Sequence, residues 1–206
     1  MNYTEIISHS KAYADRESDP KLDNTRMDLF LKMIESRVNR KLDTLEMDTV
    51  DDTACVTDQI EYSLPTDFGS IRSLKLVDSL GDETTEIAYL APELIHAVPS
   101  DSEGIFYTTL SGNIRLNPPQ DTGNTLRLYY YQHVPALTLT ETTNWLGDGY
   151  PDVYIFGLMT EISAFVKNVE AVTLWDARFK EALDEIIIDD SSRRYSGPSP
   201  VIQVIQ

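Results

Sequence analysis

The segment PDVYIFGLMTEISAFV, residues 151–166, decides the fold because it carries the clearest helical pattern in the chain. It opens on Pro151, and proline is favoured in the first turn of a helix, where its missing N–H needs no partner. Apolar residues then recur at steps of three or four, which places them on one face of an α-helix. A second stripe follows a break near Asn168, so the two stripes predict a helical hairpin. The first stripe comprises Val153, Phe156, Met159, Ile162, Phe165 and Val166, and the second comprises Val172, Trp175, Phe179, Leu183 and Ile186.

Two more helices are predicted towards the N-terminus. Thr4 is expected to cap a short helix, and Asp19-Pro20 is expected to open a longer one of about six turns. The longer helix has an apolar stripe that we expect to pack on the hairpin, and polar side chains on its other side. The stripe comprises Met27, Phe30, Ile34, Val38 and Leu42, and the polar side comprises Asp28, Lys32, Glu35 and Asn39.

Between residues 45 and 133 the pattern changes to short strand-like runs separated by turn signals, which predicts an antiparallel sheet with one buried face. The fold class expected is therefore α+β: a helical bundle with an inserted antiparallel β domain and an extended C-terminal arm. Residues 1–44 are expected to form the N-terminal part of the bundle, 45–135 the inserted β domain, 136–194 the C-terminal helical hairpin and 195–206 the arm.

The amino-acid composition limits the classes of partner that the protein is expected to bind. The chain holds 34 aspartates and glutamates against 17 lysines and arginines, a formal net charge of -17. Such a surface repels phosphate backbones and anionic lipids, so tight binding to nucleic acid or a membrane is not expected. It is compatible with lining a channel through which DNA passes. The single cysteine, Cys55, and an N-terminus without signal-peptide features favour a soluble intracellular protein.

Motifs for catalysis and metal binding are missing from the sequence. His9, His96 and His133 lie far apart and have no zinc-ligand spacing, and phosphate-loop, dinucleotide and nucleophile-elbow motifs are absent. We therefore expect no cofactor and no metal. Neighbouring carboxylates could serve a hydrolase, but pairs arise by chance in so acidic a chain, and a carboxylate-dependent hydrolase is the weaker alternative. These pairs are Asp51-Asp52, Asp82-Glu83 and Asp189-Asp190.

The order of several short segments resembles the head-to-tail adaptor (connector) proteins of tailed bacteriophages, chiefly those with short tails. The resemblance covers residues 30 to 200 and rests on the order and spacing of the segments together. They are ESRVNRKL (35–42), YSLPTDF (62–68), IRSL (71–74), IRLNP (114–118), Tyr130-Tyr131, Leu137-Thr138, Asn144-Trp145-Leu146, Pro151-Asp152, Trp175 with Phe179, and RRYSG (193–197).

This resemblance implies a structural protein of the virion without catalytic activity. Adaptors of this kind form a ring of about twelve copies under the portal, and the tail tube or nozzle protein attaches to that ring. The implied location is the head-to-tail interface of the virion, after assembly in the host cytoplasm, with the DNA genome only as passing cargo and no membrane. Another ring-forming neck or tail component is the nearest alternative.

The resemblance also implies that the C-terminal arm packs against the portal. The expected portal-binding residues are Arg193, Arg194, Tyr195, Val201, Ile202, Val204 and Ile205. An extended chain from 195 to 206 would span roughly 35–40 Å and could add a strand to an exposed sheet edge. Two alternatives stay open: the arm could simply fray, and the arginine pair could only complement the negative end of the last helix.

Overall fold

The structure is a computed structural model that describes residues 1–99 and 104–195. The chain divides into two compact units. One comprises Met1–Glu46 together with the chain from Val134 onward, and the other comprises Met47–His133. The α-helices of the described residues lie in the first unit and the β-strands in the second. The protein is therefore mixed α+β, as expected.

Helix α4 (Pro151–Phe165) is the centre of the first unit, because it packs against four other helices. These are α1 (Tyr3–Tyr13), α2 (Asn24–Asn39), α3 (Trp145–Gly149) and α5 (Val169–Arg194). A side chain at Gly157 in α4 would place its Cβ 2.9 Å from Cγ1 of Ile34, so glycine is what lets α2 approach this closely. Most of α4 is buried, including Tyr154 and Leu158. A 3₁₀ turn spans Leu45–Met47.

The first two helices begin at residues other than those predicted. Asn2, not Thr4, caps α1: its side chain accepts from the backbone N–H of Glu5 at 2.9 Å, and the Glu5 carboxylate accepts from the backbone N–H of Asn2 at 3.0 Å. Helix α2 is capped by Asp23 rather than opened by Asp19-Pro20, so it has about four turns rather than six. The chain forms a separate turn before α2, which buries the side chain of Leu22.

Glu35 was predicted on the polar side of α2, but it is only 6% exposed. One of its carboxylate oxygens accepts from the backbone N–H of Leu137 at 2.7 Å and from the Tyr154 hydroxyl at 3.3 Å. The Asn144 amide in turn donates to the Tyr154 hydroxyl at 2.8 Å and to the carbonyl oxygen of Pro135 at 2.7 Å. Burial raises the pKa of Glu35. This buried chain of hydrogen bonds holds the segment before α3 against α2 and α4.

The described residues of the second unit form two four-stranded sheets, with strand orders β1-β8-β3-β4 and β2-β7-β6-β5. Every pair is antiparallel except β5 with β6, which is parallel. The expected antiparallel sheet is wrong in this respect, because β5 and β6 are far enough apart in sequence to pair in parallel, which a tight turn does not allow. The strands are β1 (Asp48–Ala54), β2 (Glu61–Ser63), β3 (Phe68–Val77), β4 (Glu83–Glu86), β5 (Ala88–Tyr89), β6 (Phe106–Leu110), β7 (Asn113–Asn117) and β8 (Thr125–Gln132).

Strand β8 is central in its sheet, and its side chains alternate between a buried and an outer face. Tyr130 is buried, its ring stacks on Phe68 with centroids 5.8 Å apart, and its hydroxyl donates to Asp67 at 3.0 Å. Its neighbours Tyr129 and Tyr131 are only half-buried. The buried face belongs to a core of Cys55, Tyr62, Leu74, Leu76, Ile87, Tyr107, Ile114, Leu116, Leu126, Leu128 and Tyr130.

The outer face of this sheet carries a row of ion pairs across all four strands. Arg127 donates to both carboxylate oxygens of Asp52 at 2.8 Å and to Glu83 at 3.1 Å. Glu83 also accepts from the Lys75 ammonium and the Tyr129 hydroxyl, each at 2.6 Å. The hydrogen bond from Lys75, with those from Tyr129 and Arg127, lowers the pKa of Glu83 to about 2.

Replacing Glu35 by alanine is expected to destabilise the first unit. The substitution leaves the Leu137 N–H and the Tyr154 hydroxyl without their acceptor, and an unsatisfied buried donor costs about 1–3 kcal/mol. Urea unfolding followed by circular dichroism measures the loss. Glu35→Gln is the matched control because it keeps an acceptor oxygen and should lose less. Equal stability of Glu35→Ala and the unaltered chain would contradict this role.

Replacing Lys75 by methionine is expected to raise the pKa of Glu83 from about 2 towards its ordinary value of 4.5. Because folding depresses this pKa, the interaction contributes stability that is complete above about pH 4.5 and is lost as the pH falls towards 2. Carboxyl-carbon NMR titration measures the pKa directly. Lys180→Met, which removes an ion pair with Asp176 in the first unit, is the control. Titration of Glu83 near 4.5 in the unaltered protein would refute the account.

Candidate functional site

The end of α5 brings together the three described residues of the expected portal-binding set, and Asp190 organises it. Asp190 is only 6% exposed and accepts from the backbone N–H of Leu45 at 2.7 Å and from Nε of Arg194 at 2.6 Å. Arg194 also donates through Nη2 to the carbonyl oxygen of Asp43 at 2.9 Å. The last turn of α5 is therefore tied to the chain that follows α2.

Arg193 forms a second set of contacts beside the first. Its guanidinium pairs with Glu46 and lies 3.2 Å, measured from Nε, from the carboxylate of Asp189. The Tyr150 hydroxyl donates to Asp189 at 2.9 Å and accepts from Nη2 of Arg193 at 3.3 Å. The hydrogen bond to Glu46 raises the pKa of Arg193, and burial raises the pKa of Tyr150. Arg193 therefore stays charged and Tyr150 stays a neutral hydroxyl at physiological pH.

These contacts indicate different roles for the two arginines and for Tyr195. Both arginines have carboxylate partners in the same chain, so they hold the last turn of α5 in place. Tyr195, the next residue, is 84% exposed, and its backbone N–H donates to the carbonyl oxygen of Ser191 at 3.2 Å. The site thus consists of a fixed base with an aromatic side chain presented to solvent. Val201, Ile202, Val204 and Ile205, like the rest of the arm from 196 to 206, lie outside the described residues.

Some of the ion pairs that hold the end of α5 could be predicted from the sequence. Asp189 with Arg193 and Asp190 with Arg194 stand four residues apart, the spacing at which side chains on a helix pair. The contacts of the arginines with Asp43 and Glu46, and of Asp190 with Leu45, join residues on opposite sides of the β unit in sequence. No local pattern signals them.

At least one member of each carboxylate pair considered for hydrolysis is engaged in another interaction. Asp52 and Glu83 belong to the ion pairs around Arg127, and Asp189 and Asp190 hold the two arginines of α5. Over residues 1–99 and 104–195, histidine, cysteine and carboxylate side chains form no cluster of three or more that could hold a metal ion. No helix in the described part of the chain is long and apolar enough to cross a membrane.

Comparison with known proteins gives one family. A family model described as SU10 adaptor protein matches residues 1–203, almost the whole chain, whereas no curated protein matches it. Proteins of this family are structural components of phage virions that associate with portal and tail components at the junction of head and tail. The expected resemblance to head-to-tail adaptors is therefore confirmed, and the chain belongs to the family of SU10 adaptor proteins.

Proposed function

We propose that this protein assembles into a ring of about twelve copies that joins the portal to the tail tube or nozzle and lets the genome pass. The observation that carries the proposal is the family match over residues 1–203. A closed ring of identical subunits is a common way for a protein to surround a channel, because each copy makes the same contacts with its neighbours. The protein acts as a structural part of the virion, not as an enzyme.

The domain organisation we propose is a helical bundle with an inserted β domain. The bundle comprises 1–44 and 136–194, the β domain comprises 45–135, and the arm comprises 195–206. Two features support it: the first compact unit uses chain from both sides of the second, and α4 packs against helices from both of these segments. In this arrangement the bundle carries the end of α5 and so the start of the arm.

The net charge of -17 supports passage of DNA rather than binding to it. Phosphates passing a ring of such subunits meet repulsion from the walls, so the genome does not adhere. Cations in the β unit do little to offset this, because each of them already pairs with a carboxylate: Arg72 with Asp48, Lys75 and Arg127 with Glu83, Arg127 also with Asp52, and Arg115 with Glu61.

The arm is proposed to dock on the portal in two parts. Arg193 and Arg194 hold the end of α5 and set the direction of the arm, which their intramolecular ion pairs support. Tyr195 and the aliphatic residues Val201, Ile202, Val204 and Ile205 then make the portal contacts. An arm that starts from a fixed point loses less conformational entropy on binding than one that starts from a mobile end.

Removing the arm is expected to abolish portal binding without unfolding the protein. The comparison uses the full-length chain and a chain that ends at Tyr195, each mixed with the portal protein of the same phage and measured by mass photometry. Full-length protein should form rings and add mass to the portal, whereas the shortened chain should keep its melting temperature and leave the portal mass unchanged.

Three other outcomes would count against parts of this proposal. Equal portal binding by both chains would contradict the role of the arm. Rings that bind tail components but never the portal would instead identify another neck or tail component. Absence of both rings and portal binding in the full-length chain would contradict the adaptor function itself.

Replacing Asp190 by alanine is expected to loosen the fixed base of the arm. The Leu45 N–H and the Arg194 guanidinium lose a buried acceptor, which costs about 1–3 kcal/mol in unfolding free energy. Urea unfolding measures that loss, and limited proteolysis should show faster cleavage near residue 194. Asp184→Ala, which removes an exposed ion pair with Lys41 from the same helix, is the matched control. Unchanged stability and cleavage in Asp190→Ala would rule out the anchoring role.

A further inference from the structure

The outward side of α2 is unusual in this acidic chain because it carries no carboxylate. We call it the α2 outer face, and its residues recur at helical spacing and are all exposed. Two of them are apolar, Leu29 at 55% and Met33 at 40% exposure. The face consists of Thr25, Leu29, Lys32, Met33, Ser36 and Arg40.

The cations of the α2 outer face form no salt bridge within residues 1–99 and 104–195. Arg40 donates to the hydroxyl of Ser36 at 2.6 Å and forms no salt bridge with a carboxylate there. Lys32 also forms no salt bridge there, although its charge helps to lower the pKa of the buried Glu35 against the larger effect of burial. Acids outnumber bases two to one, 34 against 17, so most surfaces of a second copy would offer these cations a carboxylate. The face is apolar and positive on a protein that is strongly negative.

The outward side of helix α5 carries charge of the opposite sign. Leu174, Glu181 and Ile188 recur every seven residues, and Glu185 follows Glu181 by one turn, so the four share one side of the helix. We call them the α5 outer face. Leu174 is 51% and Ile188 65% exposed. Arg178 lies on the same side, but its guanidinium stacks over the rings of Trp175 and Phe156, 5.4 and 5.9 Å from their centroids. Neither glutamate has a salt-bridge partner among the described residues, so this face is apolar with a net negative charge.

We propose that the α2 outer face of one copy docks on the α5 outer face of the next copy in the ring. This inference rests on the proposed ring and names the contact that builds it. Two different surfaces meet in such a contact, so it repeats head to tail and closes into a ring when the rotation between copies allows. An isologous contact of either face with its own copy would place like charges opposite each other.

Charge and apolar area both favour this pairing. Copies with a net charge of -17 repel one another, so an interface forms most easily where a face without carboxylates meets an acidic one. Lys32 and Arg40 would then meet Glu181 and Glu185. The exposed aliphatic side chains on both faces would be buried together, as in the centre of most protein interfaces.

Disulfide trapping tests the contact directly, because the single cysteine, Cys55, is buried and gives little background. The chain carrying both Met33→Cys and Ile188→Cys should form a ladder of covalent oligomers on oxidation, seen on a non-reducing gel. Each single variant should run as a single chain on the same gel, because a heterologous contact never brings two copies of the same residue together. The inference would be overturned if the double variant formed rings but no covalent oligomers on oxidation. Covalent dimers of either single variant would overturn it as well.

Charge reversal tests the electrostatic part. Lys32→Glu with Arg40→Glu makes both faces acidic, and Glu181→Lys with Glu185→Lys makes both basic. Each variant alone should need at least about a tenfold higher protein concentration to form rings, measured by sedimentation velocity. An equimolar mixture should restore ring formation, since every face then finds a face of opposite charge in the other variant.

A matched control and the wild-type result separate this inference from the proposed function. Lys21→Glu with Lys167→Glu reverses two other exposed cations of the same unit and should leave ring formation unchanged. Rings that form equally well after reversal of either face would refute the inference and leave the proposed function standing. Reversal of the α2 outer face that abolished portal binding but not rings would assign that face to the portal instead. Absence of rings in the unaltered chain, alone and on the portal, would refute both.

Discussion

The close packing of α2 on α4 is the constraint on which the rest of the structure depends. Gly157 leaves room for Ile34, and the absence of a side chain there lets the two helices approach. That approach encloses the carboxylate of Glu35, which then has to find donors inside the protein and finds them on Leu137 and Tyr154. A buried carboxylate is stabilising only while those donors stay in place, so the interaction fixes two chain segments about a hundred residues apart in sequence.

Helix α5 inherits its position from this packing, since it lies on α4. The two sides of α5 differ in their exposure to solvent. One side is buried through Phe179, Leu183 and Ile186, whereas the other presents aliphatic and acidic side chains to solvent. Its last turn is held by Asp190 and by the partners of Arg193. In the proposed function this fixed turn is the point from which the arm starts, which reduces the conformational entropy that docking would cost.

The sequence was most informative where hydrophobic periodicity decides structure. The helices α4 and α5 and the break at Asn168 were predicted correctly, and Asn168 caps α5 by accepting from the backbone N–H of Ala171. The first predicted stripe is less accurate at its end, where Phe165 is exposed and Val166 lies beyond α4. Strand β1, with the sequence DTVDDTA, was missed because pairing with β8 and ion pairs such as Asp52 with Arg127 stabilise it rather than an apolar pattern. The burial of Glu35 and the contacts of Asp190 were also hidden, because their partners lie far away in sequence. At the end of α5, the spacing in the sequence thus indicated the pairs of Asp189 with Arg193 and of Asp190 with Arg194, but not the contacts with residues 43–46.

Single-particle electron cryomicroscopy of the protein bound to its portal would test the central claim most directly. The account predicts a closed ring of identical copies around an open channel, with the chain beyond Tyr195 lying on the portal. It also predicts α2 of each copy against α5 of its neighbour. A complex in which single copies decorate the portal without touching one another would contradict the account, as would a ring whose α5 ends point away from the portal.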